Sequence, residues 1–208
     1  MDDLTTKLKN IQKNAKIYNL IQNRLKEFQA IDKKNDEELF SELAFCILTA
    51  NFNAERTIKI QQSLGKSFLV SSEEELSNQL RSLGHRYPNT RAKYIVEARN
   101  KLQELKTLLD NKNEIEIRAW LAKNIKGLGM KESSHFLRNI GFKNVAIIDF
   151  HILDILERHR LANKPKTLTP KKYIEIEQIL TDIAKKLDIS LAELDLRLWY
   201  LETRKVLK

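Results

Sequence analysis

Apolar residues recur three and four positions apart along nearly the whole chain, as in Ile17, Leu20, Ile21, Leu25 and Phe28, while alternating apolar and polar runs are nearly absent. A spacing near 3.6 gathers side chains onto one helix face, whereas a half-buried strand needs a spacing of 2. The chain is therefore expected to be all-α. Capping residues followed three positions later by Glu mark helix starts: Asn35 with Glu38, Ser72 with Glu75, and Ser190 with Glu193. Thr169 followed by Pro170 marks another, because proline is tolerated in a first helical turn, and that helix is expected to run to about Lys186. Five glycines and three prolines leave few flexible joints, and Pro165 with its polar neighbours marks the clearest loop. Neither a repeat nor a low-complexity tract is visible.

The chain has 208 residues and a formal net charge of +9. That length buries a substantial core within one cooperative body, which can have two lobes. The charge suits a polyanionic partner, DNA or RNA first, although lysines also decorate solvated helix faces. Cys46 is the sole cysteine and lies in the apolar run Leu43-Ala44-Phe45-Cys46-Ile47-Leu48, so disulfides and cysteine-rich metal clusters are excluded. His85, His135, His151 and His159 lack the flanking acids or cysteines of a tetrahedral site, and no catalytic metal or cofactor is expected. No apolar run reaches membrane-spanning length and no secretory signal opens the chain, which points to a cytoplasmic protein held at the nucleoid by DNA.

The chemistry concentrates in the segment Ile125-Lys126-Gly127-Leu128-Gly129-Met130-Lys131. Residues 121–125 end one helix, residues 126–129 are too rich in glycine to continue it, and periodicity resumes from Lys131 to Ile140. Gly127 and Gly129 permit tight backbone geometry and close approach of a ligand, and the N–H groups opening the second helix suit a phosphate. Such a hairpin holds a DNA backbone without reading bases; a bare helix-packing corner is the competing reading. Gly141 then ends the helix, and the apolar run Val145-Ala146-Ile147-Ile148 leads to Asp149, which can cap the next helix.

Lys131, Asp149 eighteen positions later, and the tail from Glu193-Leu194-Asp195-Leu196 through Trp199-Tyr200 to Lys208 resemble the compact type-2 8-oxoguanine DNA glycosylase/AP lyases of the helix-hairpin-helix superfamily. Ile47-Leu48-Thr49-Ala50-Asn51 is similar to them as well. The resemblance implies a two-lobed fold, with residues 36–148 as a middle lobe carrying the hairpin at 121–140, residues 1–35 and 149–208 as the other lobe, and the active site between them. It implies Lys131 as the nucleophile and Asp149 as the acid–base partner. A protonated lysine is a poor nucleophile, so the amine has to shed its proton before it attacks the sugar's anomeric carbon and forms a Schiff base.

Oxidation at C8 converts guanine N7 from an acceptor into an N–H donor, so a single well-placed acceptor discriminates the lesion. The resemblance implies that role for the chain end at Lys208, beside Asp195 for the N1 and N2 donors and Trp199 as a stacking surface. Asp195 and Trp199 lie four apart and share a helix face. Asn51 is a candidate for filling the gap left by an extruded nucleotide, Arg56 for touching the opposite strand, and Arg86 and Tyr87 for wedging or backbone contact. Carbonyls of Lys123, Ile125 and Leu128 can hold a monovalent cation, and Phe150 departs from the basic residue that relatives often carry there. The expected partner is duplex DNA with 8-oxoguanine or an abasic site, bound by a monomer. The rival readings are a non-catalytic DNA-binding hairpin, a helical adaptor, and an enzyme for oxidised pyrimidines; members of that last group commonly carry an iron–sulfur cluster that one cysteine cannot build.

Overall fold

The computed structural model describes residues 2–208. Thirteen helices and no strand occur among the described residues: α1 Asp2–Lys13, α2 Ala15–Ala30, α3 Asp36–Thr49, α4 Ala54–Leu64, α5 Ser67–Val70, α6 Glu73–Ser82, α7 Pro88–Arg99, α8 Leu102–Asn111, α9 Glu114–Asn124, α10 Met130–Asn139, α11 Phe150–Arg158, α12 Pro170–Leu187 and α13 Leu191–Thr203. The all-α expectation holds. Among the described residues no helix is long and apolar enough to cross a membrane.

The capping signals worked to different degrees. Ser72 and Glu75 form a complete reciprocal box at α6. Asn35 accepts from Glu37 and Glu38 at α3, but the Glu38 carboxylate turns to the Asp32 N–H instead of closing the box. Ser190 caps α13, while Glu193 goes to Arg197. A full box at Asn113 and Glu116 opens α9 and was legible by the same rule.

Residues 30–140 form one compact unit, and residues up to 29 together with 141–208 form another. The divisions fall at 29/30 and 140/141, whereas the approximate lobes read from the sequence are bounded near 35/36 and 148/149. The physical reason lies in the run before Asp149. Val145, Ala146, Ile147 and Ile148 are buried, yet there is no sheet to pair their backbone. Side chains of α12 do that work: the Ala146 N–H donates to Glu177 at 2.7 Å, Tyr173 Oη donates to the Ala146 carbonyl at 2.7 Å, and the Ile148 N–H donates to Tyr173 Oη at 3.2 Å. Gly141 has φ +93°, and a Cβ there would lie 3.1 Å from the Gln29 Cα, so chain direction and packing both demand glycine. In the same unit Arg197 is wholly buried between the Glu193 carboxylate and the Leu8 carbonyl, a paired charge joining α13 to α1.

The 30–140 unit is built on α3, whose residues 42–50 are all buried. A helix hydrophobic on every side belongs inside a core, and α4, α5, α7 and α10 pack around it. Cys46 is fully buried there, as its sequence context suggested. One polar line crosses this core: Glu42 accepts from Gln61 of α4 at 3.0 Å and from Asn139 of α10 at 3.1 Å.

Tyr173→Phe should leave the Ala146 carbonyl and Ile148 N–H unpartnered in apolar surroundings, at a cost of about 1–3 kcal/mol. The expected result is a lower urea midpoint at unchanged m-value; an unaltered midpoint would mean that the hydroxyl does not hold this segment.

Candidate active site

The hairpin lies where the sequence put it. α9 ends at Asn124, Ile125 is its C-cap, and Gly129 is the N-cap of α10. Gly127 has φ +88°, and a Cβ would come 2.8 Å from the Tyr94 ring and 3.1 Å from Arg91 Nη1, so this turn packs directly on α7. Gly129 differs. Its φ of −99° suits any residue, and the nearest atom to a Cβ would be Glu132 Oε2 at 3.4 Å. Neither its backbone angle nor its packing requires glycine at 129. The Ile125 carbonyl accepts the Leu128 N–H at 3.2 Å and keeps a second lone pair, and the Lys123 carbonyl belongs to the last helical turn, where carbonyls lack helical partners.

Lys131 is the second residue of α10, with about a quarter of its side chain exposed. Its Nζ stands 3.7 Å from Glu132 Oε1, within ion-pair reach but too far for a hydrogen bond, while Glu132 Oε2 accepts the Gly129 N–H at 3.2 Å. Glu132 therefore ties the amine to the hairpin. It occupies the third helical position, where the capping-box rule that marked other helix starts would have pointed.

Asp149 is the N-cap of α11, with Oδ1 accepting the Ile152 N–H at 3.0 Å. This cap orients the carboxylate through one of its two oxygens. Phe150 follows with 60% of its surface exposed and its ring 3.9 Å from that of His151. His151 meets Trp199 edge-on at 5.2 Å, joining α11 to α13. The Trp199 indole N–H is buried and has no hydrogen-bond partner in the structure. Asp195, one turn earlier on α13, lines a small cavity otherwise made by apolar groups such as Ala146, Ile152 and Leu180. Lys208 ends a non-helical, partly buried segment after α13. Lys131 belongs to the 30–140 unit, and Asp149, Asp195, Trp199 and Lys208 to the other.

The remaining candidates gather within the 30–140 unit. Asn51 is exposed and left-handed at φ +58°. The residues beside it are anchored: Arg91 Nη2 donates to the Ala50 carbonyl at 2.6 Å, and the Phe52 ring rests 4.3 Å from that of His85. Arg56 is exposed, with Nη2 donating to the Gly84 carbonyl at 2.9 Å and the guanidinium over Phe52. Tyr87 is 37% exposed, with Arg86 at 5.0 Å and Arg91 at 5.9 Å from its ring centroid.

The 8-oxoguanine DNA glycosylase family model matches residues 21–189. The chain belongs to this family. It is 50% identical to an 8-oxoguanine DNA glycosylase/AP lyase of Korarchaeum cryptofilum, covering 100% of this chain and 99% of the relative. A 15mer DNA complex of the Methanocaldococcus jannaschii 8-oxoguanine glycosylase/lyase superposes with TM-score 0.94 at 48% identity over 99% of both chains; its DNA contains 8-oxoguanine. The Thermotoga maritima 8-oxoguanine DNA glycosylase superposes with TM-score 0.92 at 42% identity over 100% of both.

In this 8-oxoguanine DNA glycosylase family member, the residues that sequence reasoning missed are the ones that act through packing. Arg91 is 7% exposed and touches the Ala50 carbonyl, Tyr87, Tyr94 and the approach to Gly127. A lone arginine on a polar helix carries no local sign of that role. Tyr173 and His151 are equally silent in sequence. Gly127→Ala should cost more than about 1 kcal/mol, because positive φ and the Tyr94 contact both oppose it, whereas Gly129→Ala should change stability by less than that. Urea titration of the two variants checks this; a larger loss for Gly129→Ala would contradict the hairpin geometry.

Proposed function

We infer that this protein excises 8-oxoguanine from duplex DNA and then cleaves the strand as an AP lyase, with Lys131 as nucleophile. The observation that carries the reading is a partly exposed lysine at the start of α10, directly behind the Gly127–Gly129 hairpin, in a chain of this family. The net charge of +9 favours association with the DNA backbone.

The lesion base is out of reach inside a duplex, so the nucleotide has to be extruded at a cost of a few kcal/mol. The Lys131 amine then forms a bond to C1′, and the glycosidic C–N bond breaks with its electron pair leaving on the base. Loss of a proton from nitrogen, followed by ring opening, gives a protonated imine. That imine acidifies the C2′ hydrogen; its removal expels the 3′ phosphate, and water later releases the lysine. Asp149 serves as proton acceptor and stabilises positive charge developing on the sugar. The helix cap it makes to Ile152 supports this role by holding the carboxylate in one orientation.

On the same reading Asp195 accepts from guanine N1 and N2, Trp199 stacks on the base, and an oxygen of Lys208 accepts the N7–H that distinguishes the lesion. The buried indole beside His151 supports a stiff stacking surface. The hairpin with Gly127 and Gly129 holds phosphate, aided by a monovalent cation at the carbonyls of Lys123, Ile125 and Leu128. Asn51 and Tyr87 fill the gap, with Arg86 on the backbone. A monomer suffices, since every group comes from one chain, and the enzyme also processes abasic sites, working at the nucleoid.

Borohydride should trap a covalent complex between the wild-type protein and 8-oxoguanine DNA, and Lys131→Gln should abolish it. Absence of trapping with the wild type would end the lyase assignment. Asp149→Asn should slow excision by about 10²–10⁴-fold at near-normal DNA affinity. Across a panel of lesion duplexes, cleavage restricted to oxidised pyrimidines would overturn the substrate, and removal of Lys208 should erase preference for 8-oxoguanine over guanine.

A further inference from the structure

His85 is 5% exposed and uses both ring nitrogens. Nε2 lies 3.0 Å from the Leu48 carbonyl at the end of α3, and Nδ1 accepts the Tyr87 N–H at 3.1 Å. A backbone N–H can only donate and a carbonyl can only accept, so these two contacts fix the neutral tautomer protonated on Nε2. The ring also packs against Phe52, the residue after Asn51. One imidazole thus touches the segments on both sides of the break that carries Asn51 and the turn that carries Tyr87. These two side chains are exposed, while the residues holding them are not.

We propose that His85 is a positioning residue that locks Asn51 and Tyr87 into one wedge, so that they enter the duplex together when the damaged nucleotide leaves it. The inference rests on the gap-filling reading of Asn51 and Tyr87. Its physical content is cooperative. A single inserted side chain can swing away, but two held by a common buried ring oppose collapse of the opened base pair as one body. The lock also titrates. Protonation would place a hydrogen on Nδ1 facing the Tyr87 N–H, breaking one arm.

Burial holds the imidazole below its ordinary value, the Leu48 hydrogen bond opposes this, and the cations of Arg91 on α7 and Arg56 on α4 add to the depression. For a base depressed in the fold, the stabilisation is complete above the ordinary histidine value of about 6.5 and is lost as pH falls through the lower folded value. The wedge should therefore loosen on the acid side.

The test compares single-turnover excision of 8-oxoguanine from two duplexes, one with the lesion paired to cytosine and one with it in an unpaired bulge, where little opening is required. Asn51→Ala and Tyr87→Ala establish the wedge, and each should slow the paired substrate far more than the bulge. His85→Phe keeps a ring against Phe52 but loses both hydrogen bonds; it should show the same selectivity, about tenfold on the paired duplex and under about twofold on the bulge. His85→Gln keeps a donor for Leu48 and does not titrate. In the wild type the paired-to-bulge rate ratio should hold at about pH 6.5 and fall as the pH drops through the lower, depressed value of His85, and in His85→Gln it should stay flat. If Asn51→Ala and Tyr87→Ala do not discriminate the substrates, the gap-filling reading fails. If they do and His85→Phe slows both substrates equally or neither, the His85 proposal alone is overturned. Should His85→Phe not fold, an acid response in His85→Gln identical to the wild type overturns it.

Discussion

The 30–140 unit depends on the burial of α3 beyond its first turn. Leu39, Phe40, Leu43, Phe45, Ile47 and Leu48 are each fully buried, and burial of such side chains contributes about 1.5–3 kcal/mol apiece. Because α3 from Glu42 onward has no solvent face, the elements around it are positioned by what they cover: α4, α5, α7 and α10 all rest on it. The helix that presents Lys131 and the helix that follows Tyr87 share one support. The end of α3 then governs the next step, since its last carbonyls, at Leu48 and Ala50, are taken by His85 and Arg91.

Buried polar groups set the finer geometry, because each needs a partner once water is gone. In the terminal unit this need explains how an extended apolar run can exist without a sheet: Tyr173 and Glu177 supply what a neighbouring strand would have supplied. That run ends in Asp149, so the placement of the carboxylate that caps α11 depends on two side chains more than twenty residues away. Glu132 has a comparable place at the hairpin, where one carboxylate meets both the Gly129 amide and the neighbourhood of the Lys131 amine.

Much of the site was legible because local rules govern it. Two glycines between helical patterns produced the hairpin, and Asp149 ahead of a renewed apolar period produced the cap. Asp195 and Trp199, four apart, share α13 as their spacing requires. The division of the chain into units was less legible. Periodicity says that residues 145–148 are buried, but not against which helix. Arg56 shows the same limit: only the fold reveals that it donates to the Gly84 carbonyl, far along the chain.

The sequence by itself determined the helical class, most helix starts and the hairpin, because each follows from interactions within a few residues. Tertiary structure alone decided that Gly127 is held by Tyr94 and Arg91 while Gly129 is not constrained by packing. It decided that the run before Asp149 hangs on α12, and that Asn51 and Tyr87 stand on one buried histidine. These contacts join residues tens of positions apart. Which distant partner satisfies a buried donor or acceptor is set by how helices pack in space, and residue spacing along the chain carries no record of that.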